Sequence, residues 1–398
     1  MYDVIVVGAG PAGSVLARQL ALQGVKVLML DAARFPRRKP CGESVNPGGV
    51  ELLRRLFDLS EEEGSNGSPQ AGGIAGAGAL PFPFPYTLLS GWRLSGSGAA
   101  AALEAEFPAG LRGIGCRRDL LDDWLVQQAC LAGVQFEDRT RVERLVWEDG
   151  AVSGVEARSS DNRLQHISAT FVAGADGIRS AIARSAALSR FGPLRKAALT
   201  ARVNGMEGLS DKVELFIRGD SVVGIAPIGA GQANVTVSMR SPQAAARAAA
   251  VGKAECLLQE ARSFDELSVR LRFAVLEGEV LACGPFDRPV KEGGKKGIVL
   301  VGDASGYFDP LTGQGIYRAM RSAELAAPAL LEALSGGSGE PLVRYSKRRS
   351  AEFAGAVRLQ RWIERVSRHP WLWQGAIAAI GSSTALTSKL ARTIGDCR

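Results

Sequence analysis

Two apolar runs, separated by a glycine-rich turn and a helical stretch, begin the sequence. Residues 4–7 form the first run, and after the turn apolar positions recur with helical spacing to about Gln23. Gly24 ends the helical stretch, and a second apolar run over 25–30 leads to Asp31. Short apolar runs on either side of an amphipathic helix are typical of parallel strands joined by a crossover helix. The pattern predicts a βαβ unit.

Three later stretches also carry periodic patterns. Residues 117–134 have helical spacing closed by Gly133, and the alternation over 134–158, with its Asp-Gly turn, predicts a short strand meander. Residues 166–184 repeat the N-terminal order of strand, glycine-containing turn and helix start. Residues 197–281 alternate strands with a helix-like segment, which predicts an antiparallel sheet with helices on one side. This part of the chain is the candidate substrate lobe.

Two stretches lack a clear period. Residues 63–85 are rich in Gly, Ser and Pro, so we predict no regular helix there and regard the segment as a candidate lid. No charged residue lies between Arg368 and Lys389, but the Gln, Ser, Thr and Gly residues make this a poor membrane span, which needs about 20 predominantly apolar residues. We expect a docked core helix, with an interfacial helix flanked by arginines as the alternative.

Size and composition fit a cofactor-binding globular protein. The 398 residues are enough for two lobes, since domains average about 150 residues. The hydrophobic fraction of 46% is ordinary, whereas the 48 glycines indicate many close backbone approaches.

Charge and cysteine usage narrow the classes of partner. The net charge of +7 comes without a long basic block, which favours anionic ligands or lipid headgroups over nucleic acid. The six cysteines are far apart and form no CxxC pair, so we expect neither a metal site nor a disulfide framework. The strand pattern starts by Asp3, which leaves no room for a signal peptide. We expect a cytoplasmic protein, with peripheral membrane contact as an alternative; the sequence gives no indication of oligomeric state.

A GxGxxG fingerprint lies between the first strand and the first helix. Gly8, Gly10 and Gly13 allow, in turn, a tight turn, a close approach of backbone N–H groups to a pyrophosphate, and close packing of helix on strand. The helix N-terminus favours phosphate, and the Asp31 carboxylate can accept hydrogen bonds from a ribose diol. The constellation predicts a dinucleotide site.

The chain resembles the FAD-dependent oxidoreductases of the p-hydroxybenzoate hydroxylase superfamily, especially the geranylgeranyl reductase and flavin-dependent monooxygenase branch. The resemblance covers nearly the whole chain. It rests on the N-terminal fingerprint, "RRKPCGES" at 37–44, "GADGIRS" at 174–180 and "GDASGYFDPLTGQGIYRAM" at 302–320. It implies an α/β fold in which a Rossmann-like FAD-binding domain of the glutathione-reductase type is interleaved with an antiparallel-sheet substrate domain and followed by a C-terminal helical segment.

The resemblance also implies an order of domains along the chain. The expected parts are an FAD-binding domain over 1–80, 111–190 and 286–335, a substrate domain over 81–110 and 191–285, and the helical segment over 336–398.

By the same resemblance, a set of residues is expected to bind FAD. They are Gly8, Gly10, Ala12, Gly13, Asp31, Ala32, Cys41, Gly42, Arg118, Val142, Asp176, Asp303, Gly313, Gln314, Gly315 and Ile316.

The segment at 302–320 is expected to close over the flavin. Asp303 would bond the ribitol or ribose-phosphate region, and the backbone N–H groups of 313–316 would face the pyrimidine edge of the ring. A helix from about Gln314 would direct its positive end at the N1–O2 region, where negative charge gathers in reduced flavin. Pro310 and the glycines would let this backbone come close.

Three more roles follow from the resemblance. Arg118 would contact the FAD phosphates, although a solvated arginine on a helix surface is the alternative. Val142 would supply backbone contacts to the adenine, and Asp176 would shape the approach of flavin and nicotinamide. The family's arginine three residues after the serine is Ala183 here, with Arg184 one place later. This departure counts against an NAD(P)H role for the segment.

The "KPCGES" loop resembles the one that carries a cysteine near the flavin in the reductase branch. Cys41 is therefore the candidate catalytic residue, as a proton donor or as part of the pocket lining. A small buried structural cysteine is the alternative. No second thiol is spaced in the sequence to form a redox disulfide with it.

The residues also bear on the type of reaction. Aromatic hydroxylases of the superfamily usually have a histidine where Ser305 stands, and halogenases have a Trp-containing element where this chain has "VVGIAPIG" at 222–229. The aromatic-Trp-Phe-Pro sequence usual in prenyl reductases is absent there too. Asp309 and Glu43 are carboxylates that could act as acid or base, but each is equally explained as a loop residue.

Three functions stay open at this point, with Pro227 and Pro310 on the substrate side. We favour an oxygenase that uses NAD(P)H and O2 on an apolar or aromatic small molecule in a site that excludes water. The alternative is an enzyme that reduces alkenes of a prenyl lipid or quinone tail, with hydride from reduced FAD and a proton from the protein. A non-catalytic flavin-binding redox partner is the third.

Overall fold

The computed structural model describes residues 1–59, 82–96, 102–291, 293–295, 297–336 and 339–397. Most of the candidate lid at 63–85 lies outside these ranges.

A mostly parallel sheet forms around the predicted βαβ unit. Strand β1 (Tyr2–Val7) pairs in parallel with β2 (Val27–Leu30) and β11 (Leu164–Gly174). In turn, β2 pairs in parallel with β8 (Gln135–Glu137), and β11 with β18 (Ile298–Leu300). Strands β9 (Arg141–Glu148) and β10 (Ala151–Arg158) form an antiparallel meander with β11. The residues of β1 after Tyr2 and Asp3 are all buried because helices cover one face of the sheet and the β9–β11 meander packs on the other. A continuous apolar run, rather than alternation, is typical of such a strand.

The strands and helices of this layer, in chain order, are β1 (Tyr2–Val7), α1 (Pro11–Ala21), β2 (Val27–Leu30), α3 (Arg118–Leu131), β8 (Gln135–Glu137), β9 (Arg141–Glu148), β10 (Ala151–Arg158), β11 (Leu164–Gly174), α4 (Ala181–Ser185), β17 (Gly294–Lys295), β18 (Ile298–Leu300) and α8 (Gly315–Leu334). Their spatial order is β17-β18-β11-β1-β2-β8, with β10 and β9 attached through β11.

A second sheet of seven strands has the order β16-β12-β15-β14-β13-β5-β6 and is antiparallel except where β13 runs parallel to β5. One of its faces packs on the helices predicted there. The predicted single helix is two helices, because the chain turns at Gly252 with φ of 84°. The elements are β5 (Gly91–Ser95), β6 (Ala102–Glu106), β12 (Lys196–Asn204), β13 (Lys212–Arg218), β14 (Ser221–Gly229), β15 (Gln232–Arg240), α5 (Ser241–Val251), α6 (Lys253–Arg262), α7 (Asp265–Arg270) and β16 (Val275–Cys283).

A small third sheet joins the two large ones. Its strands β3 (Ser44–Val45), β7 (Gly113–Cys116) and β4 (Tyr86–Leu89) pair in that order, beside helix α2 (Pro47–Leu56). Strand β7 touches β14 so closely that a Cβ on Gly115 would lie 1.8 Å from the Pro227 carbonyl oxygen. The small sheet thereby holds the seven-stranded sheet against the layer built on the parallel sheet.

Three helices complete the C-terminal part of the chain: α9 (Glu340–Ser367), α10 (Pro370–Gly381) and α11 (Thr384–Gly395). The uncharged stretch predicted as one docked helix is thus two, divided near Ser382 and Ser383. Trp373 and Ile377 of α10 are buried against the seven-stranded sheet, so the expected docking is confirmed for that side of the helix. No helix in the described ranges is long and apolar enough to cross a membrane. The expected α/β class, with interleaved sheets and C-terminal helices, is confirmed.

Candidate functional site

A large cavity lies between the parallel sheet and the seven-stranded sheet. One side is formed by the glycine turn after β1, the "KPCGES" loop and the segment from Gly302 to Ala319. The other side is formed by the inner face of β12, β13, β14 and β15. Ten of the residues predicted for cofactor or substrate line it: Gly10, Ala12, Cys41, Gly42, Arg118, Asp303, Pro310, Gly313, Gly315 and Ile316.

The glycine turn leaves the N-terminus of α1 facing this cavity. Gly8 has φ of 104°, a left-handed conformation that favours glycine. A Cβ on Gly13 would lie 1.8 Å from the Gly8 carbonyl oxygen, which is the close packing of helix on strand that the fingerprint predicts. Gly10 is the N-cap of α1, and no side chain caps this end. The first N–H groups of the helix are therefore available to an anionic ligand.

Asp31 fixes the turn from the end of β2. Its Oδ2 accepts a hydrogen bond from the Ala9 N–H at 2.9 Å, and its Oδ1 accepts one from the Ala33 N–H at 2.8 Å. Arg37 lies 3.5 Å from the same carboxylate and 3.4 Å from Asp122. Asp31 and its neighbour Ala32 thus lie beside the cavity, at the position where the fingerprint expects a ribose.

The segment after β18 supplies a second helix N-terminus at the cavity. Gly302–Ser305 form a 3-10 turn that holds Asp303 at the wall, and Gly313, with φ of 64°, turns the chain into α8. Gln314 is the N-cap of α8, yet its side chain points away and donates to the Thr393 carbonyl oxygen at 2.9 Å. The N–H groups at this end of α8 also lack a side-chain cap. Two uncapped helix N-termini in one cavity fit a ligand with a pyrophosphate and an electron-rich ring, as FAD has.

Arg118 is buried rather than solvated. Its guanidinium forms a paired hydrogen bond with the Asp122 carboxylate at 2.8 and 2.9 Å, and 4% of the residue is exposed. Burial lowers the pKa of Arg118, but the charge and the hydrogen bonds of the Asp122 carboxylate outweigh it and hold that pKa well above its usual range. A fixed cation therefore lies at the cavity wall next to the Cys41 thiol.

The loop of Cys41 is anchored to the seven-stranded sheet through Glu43. The Glu43 carboxylate accepts hydrogen bonds from the Arg202 guanidinium at 2.5 and 2.9 Å and from the Asn234 amide at 3.1 Å. The Thr200 hydroxyl donates to the Cys41 carbonyl oxygen at 3.2 Å. Breaking a buried ion pair by removing one partner costs about 3–5 kcal/mol, so these contacts hold the loop firmly. Glu43 is thus a structural carboxylate, one of the two roles considered for it.

The sheet side of the cavity is mainly apolar. Its lining residues include Trp92, Ala198, Val213, Leu215, Val222, Gly224, Ile225 and Ala226. Pro227, predicted on the substrate side, does not line the cavity because its carbonyl group packs against Gly115 of β7. Gly224, Ile225 and Ala226, the three residues before Pro227, line the cavity instead. Such a wall suits an apolar ligand.

Several other predicted residues do not line the cavity. Gly8 and Gly13 pack beneath the turn, and Val142 is buried in β9 on the far side of the parallel sheet. Asp176 accepts hydrogen bonds from the Ala181 and Ile182 N–H groups and so caps α4. Burial raises the pKa of this carboxyl. Its neighbours Ala175 and Gly177 line the cavity in its place.

The structure adds two groups to the cavity that the sequence patterns indicate weakly or not at all. Cys283, at the end of β16, lines the cavity near Cys41, and burial raises the pKa of its thiol. Asp309 also lines it; burial raises the pKa of this carboxyl to about 6, against the opposing charge of Lys196. Asp309 Oδ2 has no hydrogen-bond partner in the described ranges. Cys283 could not be foreseen because it is distant from Cys41 in the chain.

Asp396, at the end of α11, connects this helix to the starts of α2 and α8. Asp396 accepts hydrogen bonds from the Asn46 amide at 2.7 Å and from the Gln314 amide at 2.9 Å. Asn46 is the N-cap of α2, and Gln314 is the N-cap of α8. The C-terminal helices therefore support two helix starts close to the cavity.

We expect Asp396 to make stability depend on pH. Burial raises the pKa of its carboxyl to about 7, against the hydrogen bonds from Asn46 and Gln314, which lower it. A pKa raised on folding means that the folded state binds the proton more tightly, so this group's contribution is greatest at low pH and is lost as pH rises from about 4 to about 7. Asp396→Asn removes the titration and should flatten that part of the curve of unfolding free energy against pH.

Urea unfolding at a series of pH values measures the effect. The matched control is Glu279→Gln, which removes a carboxylate that is 75% exposed. An Asp396→Asn curve parallel to that of the unmodified protein between pH 4 and 7 would show that this carboxyl does not titrate there.

Comparison with known proteins gives one family and two groups of relatives. The family described as "FAD binding domain" matches residues 1–360. Digeranylgeranylglycerophospholipid reductase 2 of Methanothermobacter thermautotrophicus is 30% identical over 359 residues, covering 87% of this chain and 83% of the relative. The reductase 2 of Methanopyrus kandleri is 30% identical over 366 residues, covering 88% and 83%.

Solved structures share the fold at lower identity. The flavin-dependent brominase Bmp2 superposes with a TM-score of 0.83 at 19% identity, covering 100% of this chain and 94% of the brominase. A geranylgeranyl bacteriochlorophyll reductase-like protein from Thermoplasma acidophilum gives a TM-score of 0.79 at 21% identity, with 98% and 96% covered. At these identities the likeness shows the fold alone.

Proposed function

The chain belongs to the FAD-binding domain family and is an FAD-dependent oxidoreductase, and from that premise we propose that it reduces carbon–carbon double bonds in the prenyl chains of a lipid. NAD(P)H, the reductant typical of this family, would supply the electrons. The observation that carries the proposal is a thiol, Cys41, held beside a buried arginine in a cavity with a mainly apolar opposite wall. The names of the 30%-identical relatives support the same substrate class.

We assign the cofactor to the parallel-sheet side of the cavity. The uncapped N-terminus of α1 would hold the pyrophosphate, with Asp31 at the ribose and Arg118 near the phosphates. The N-terminus of α8 and Asp303 would hold the flavin end. As the resemblance implies, Ala32 and Val142 would lie toward the adenine end, and Gly42 and Ile316, which line the cavity, would contact the cofactor there.

The chain's own residues then provide orientation and a proton. Reduced FAD, when bound, supplies a hydride to one carbon of the double bond. The Cys41 thiol donates a proton to the other carbon and is reprotonated from solvent, so that two hydrogens are added in all. The apolar residues of β13 and β14 hold the prenyl chain and keep water from the reacting carbons.

Oxygenation is the second candidate. The sequence favoured it, and the same apolar wall would suit an aromatic or aliphatic substrate whose site must be dry. It would need O2 in addition to NAD(P)H. The identity of the relatives moves our proposal to reduction, because both candidates fit the fold and only the reductases reach 30% identity among the proteins compared above.

Turnover without oxygen distinguishes the two functions. Holoenzyme reduced under anaerobic conditions and mixed with detergent-solubilised geranylgeranyl glycerolipid should give a product with two more hydrogens for each double bond reduced, as measured by mass spectrometry. Heat-denatured holoenzyme is the control. An unchanged lipid under these conditions, together with oxygen insertion once air is admitted, would replace reduction by oxygenation.

A lipid substrate also places the reaction close to a membrane surface. Peripheral contact was one expectation from the sequence, and a bilayer is where a long prenyl chain resides.

A further inference from the structure

Helix α10 exposes an apolar side to solvent. It has no charged residue over its whole length, and 72% of Trp371 and 38% of Leu372 are exposed. Its other exposed positions within the helix are Pro370, Gln374, Gly375, Ala378, Ala379 and Gly381. A helix on a protein surface usually presents charged side chains to water, so this one departs from the common pattern.

The opposite side of α10 packs directly behind the cavity. Trp373 and Ile377 are each 3% exposed and belong to the same apolar cluster as Val213, Leu215 and Leu311. Those three residues line the cavity. An α-helix with its side chains is about 10–12 Å across, so the solvent side of α10 lies roughly one helix diameter from the substrate wall.

The chain segment that contains this helix carries basic residues and no acidic ones. Glu104 and Glu106, on the neighbouring strand β6, lie 3.4 and 3.6 Å from the Lys212 ammonium group. From Arg365 to Gly395 the chain contains Arg365, Arg368, Lys389 and Arg392 but no aspartate or glutamate. Arg368 pairs with Glu364, whereas the other three form no ion pair within the part of the chain that the structure describes. On α11, Lys389 and Arg392 follow Leu386, which is 48% exposed, at helical spacing.

We propose that α10 and α11 form a docking face for a bilayer that contains anionic phospholipid. Exposed tryptophan and leucine suit the boundary between headgroups and acyl chains, and unpaired arginine and lysine suit the negative surface potential. The face consists of Trp371, Leu372, Leu386, Arg365, Lys389 and Arg392. It rests on the proposed function in one respect, since the bilayer it names is the one that would hold the lipid substrate.

Cosedimentation with vesicles tests the docking face. Full-length holoenzyme should bind vesicles of phosphatidylcholine mixed with phosphatidylglycerol and should bind pure phosphatidylcholine vesicles at least about tenfold more weakly, with release at high salt. The double variant Trp371→Ser/Leu372→Ser should lose binding by about tenfold or more. The control is Leu131→Ser, which removes an apolar residue that is 80% exposed at the end of α3.

A charge variant tests whether the basic residues of the docking face bind anionic phospholipid. Arg365→Gln/Lys389→Gln/Arg392→Gln should lose the preference for phosphatidylglycerol and keep the FAD content of the unmodified protein. Binding of the Trp371→Ser/Leu372→Ser protein equal to that of the unmodified protein would overturn the docking face. So would a smaller assembly of that variant than of the unmodified protein by light scattering, since the face would then be a contact between copies of the chain.

A comparison of detergent-solubilised with vesicle-embedded lipid distinguishes a failure of the docking face from a failure of the proposed function. The double variant should reduce detergent-solubilised lipid at the unmodified rate and vesicle-embedded lipid more slowly, because only the second substrate requires docking. Vesicle binding without any lipid reduction would leave the docking face in place and contradict the reductase.

Discussion

Replacing Gly10 with alanine is expected to give a folded protein that binds FAD at least tenfold more weakly, a loss of about 1.4 kcal/mol or more. Gly10 has φ of −79° and ψ of −175°, which alanine adopts freely. Apart from its chain neighbours, the only heavy atom of the described residues within 4 Å of an added Cβ would be Nη2 of the flexible Arg37 side chain, at 3.5 Å. The fold therefore tolerates the methyl group, whereas a pyrophosphate placed against the α1 N-terminus does not.

Two other glycines make the comparison specific. Gly13→Ala puts a Cβ 1.8 Å from the Gly8 carbonyl oxygen, so we expect it to lower the thermal midpoint as well as the FAD content. Gly355 lies on the exposed side of α9, where an added Cβ would meet no described atom within 4 Å beyond its chain neighbours and the backbone of its own helix. Gly355→Ala should therefore change neither the thermal midpoint nor the FAD content, apart from a slight gain in stability. The measurements are FAD content by absorbance, FAD affinity by titration of apoprotein, and thermal unfolding. Gly10→Ala protein with unchanged FAD affinity would contradict the placement of the pyrophosphate.

Replacing Cys41 with serine is expected to slow alkene reduction by about 10²–10⁴-fold while FAD content and flavin reduction by NAD(P)H stay the same. Proton donation by a positioned side chain contributes this much, and a serine hydroxyl is a far weaker acid than a thiol. Serine keeps an acceptor for the Glu43 N–H, which lies 3.4 Å from Cys41 Sγ, and the backbone bond to Thr200 is unaffected. The loss should appear in kcat with little change in KM.

Cys283 is the matched control for Cys41. It lines the same cavity, and Cys283→Ser should keep most of the activity. Full activity in Cys41→Ser would remove this thiol from the chemistry and direct attention to Asp309, the buried carboxyl whose pKa is raised to about 6. A parallel fall in flavin reduction would instead show that Cys41 supports the cofactor.

Local sequence patterns predict the parts of the molecule that depend on neighbouring residues. The βαβ unit, its glycine turn and Asp31 follow from local steric rules and a continuous apolar run, and the structure has each element where it was predicted. The FAD family and the α/β class followed from motifs of this kind and are confirmed. The FAD ligands named residue by residue, and the domain boundaries, stay predictions.

Which distant residues share the cavity depends on how the two large sheets pack together. Cys41 and Cys283 come together because the seven-stranded sheet packs across the parallel sheet, and no local pattern encodes that packing. The Glu43–Arg202 pair, the contact of Asp396 with two helix starts and the orientation of Pro227 toward β7 arise in the same way. The uncharged stretch after Arg368 was visible in the sequence, but which of its tryptophans is buried depends on the sheet against which α10 packs. Local sequence sets strand, turn and helix through steric limits of a few residues, whereas long-range burial selects the neighbours of each side chain.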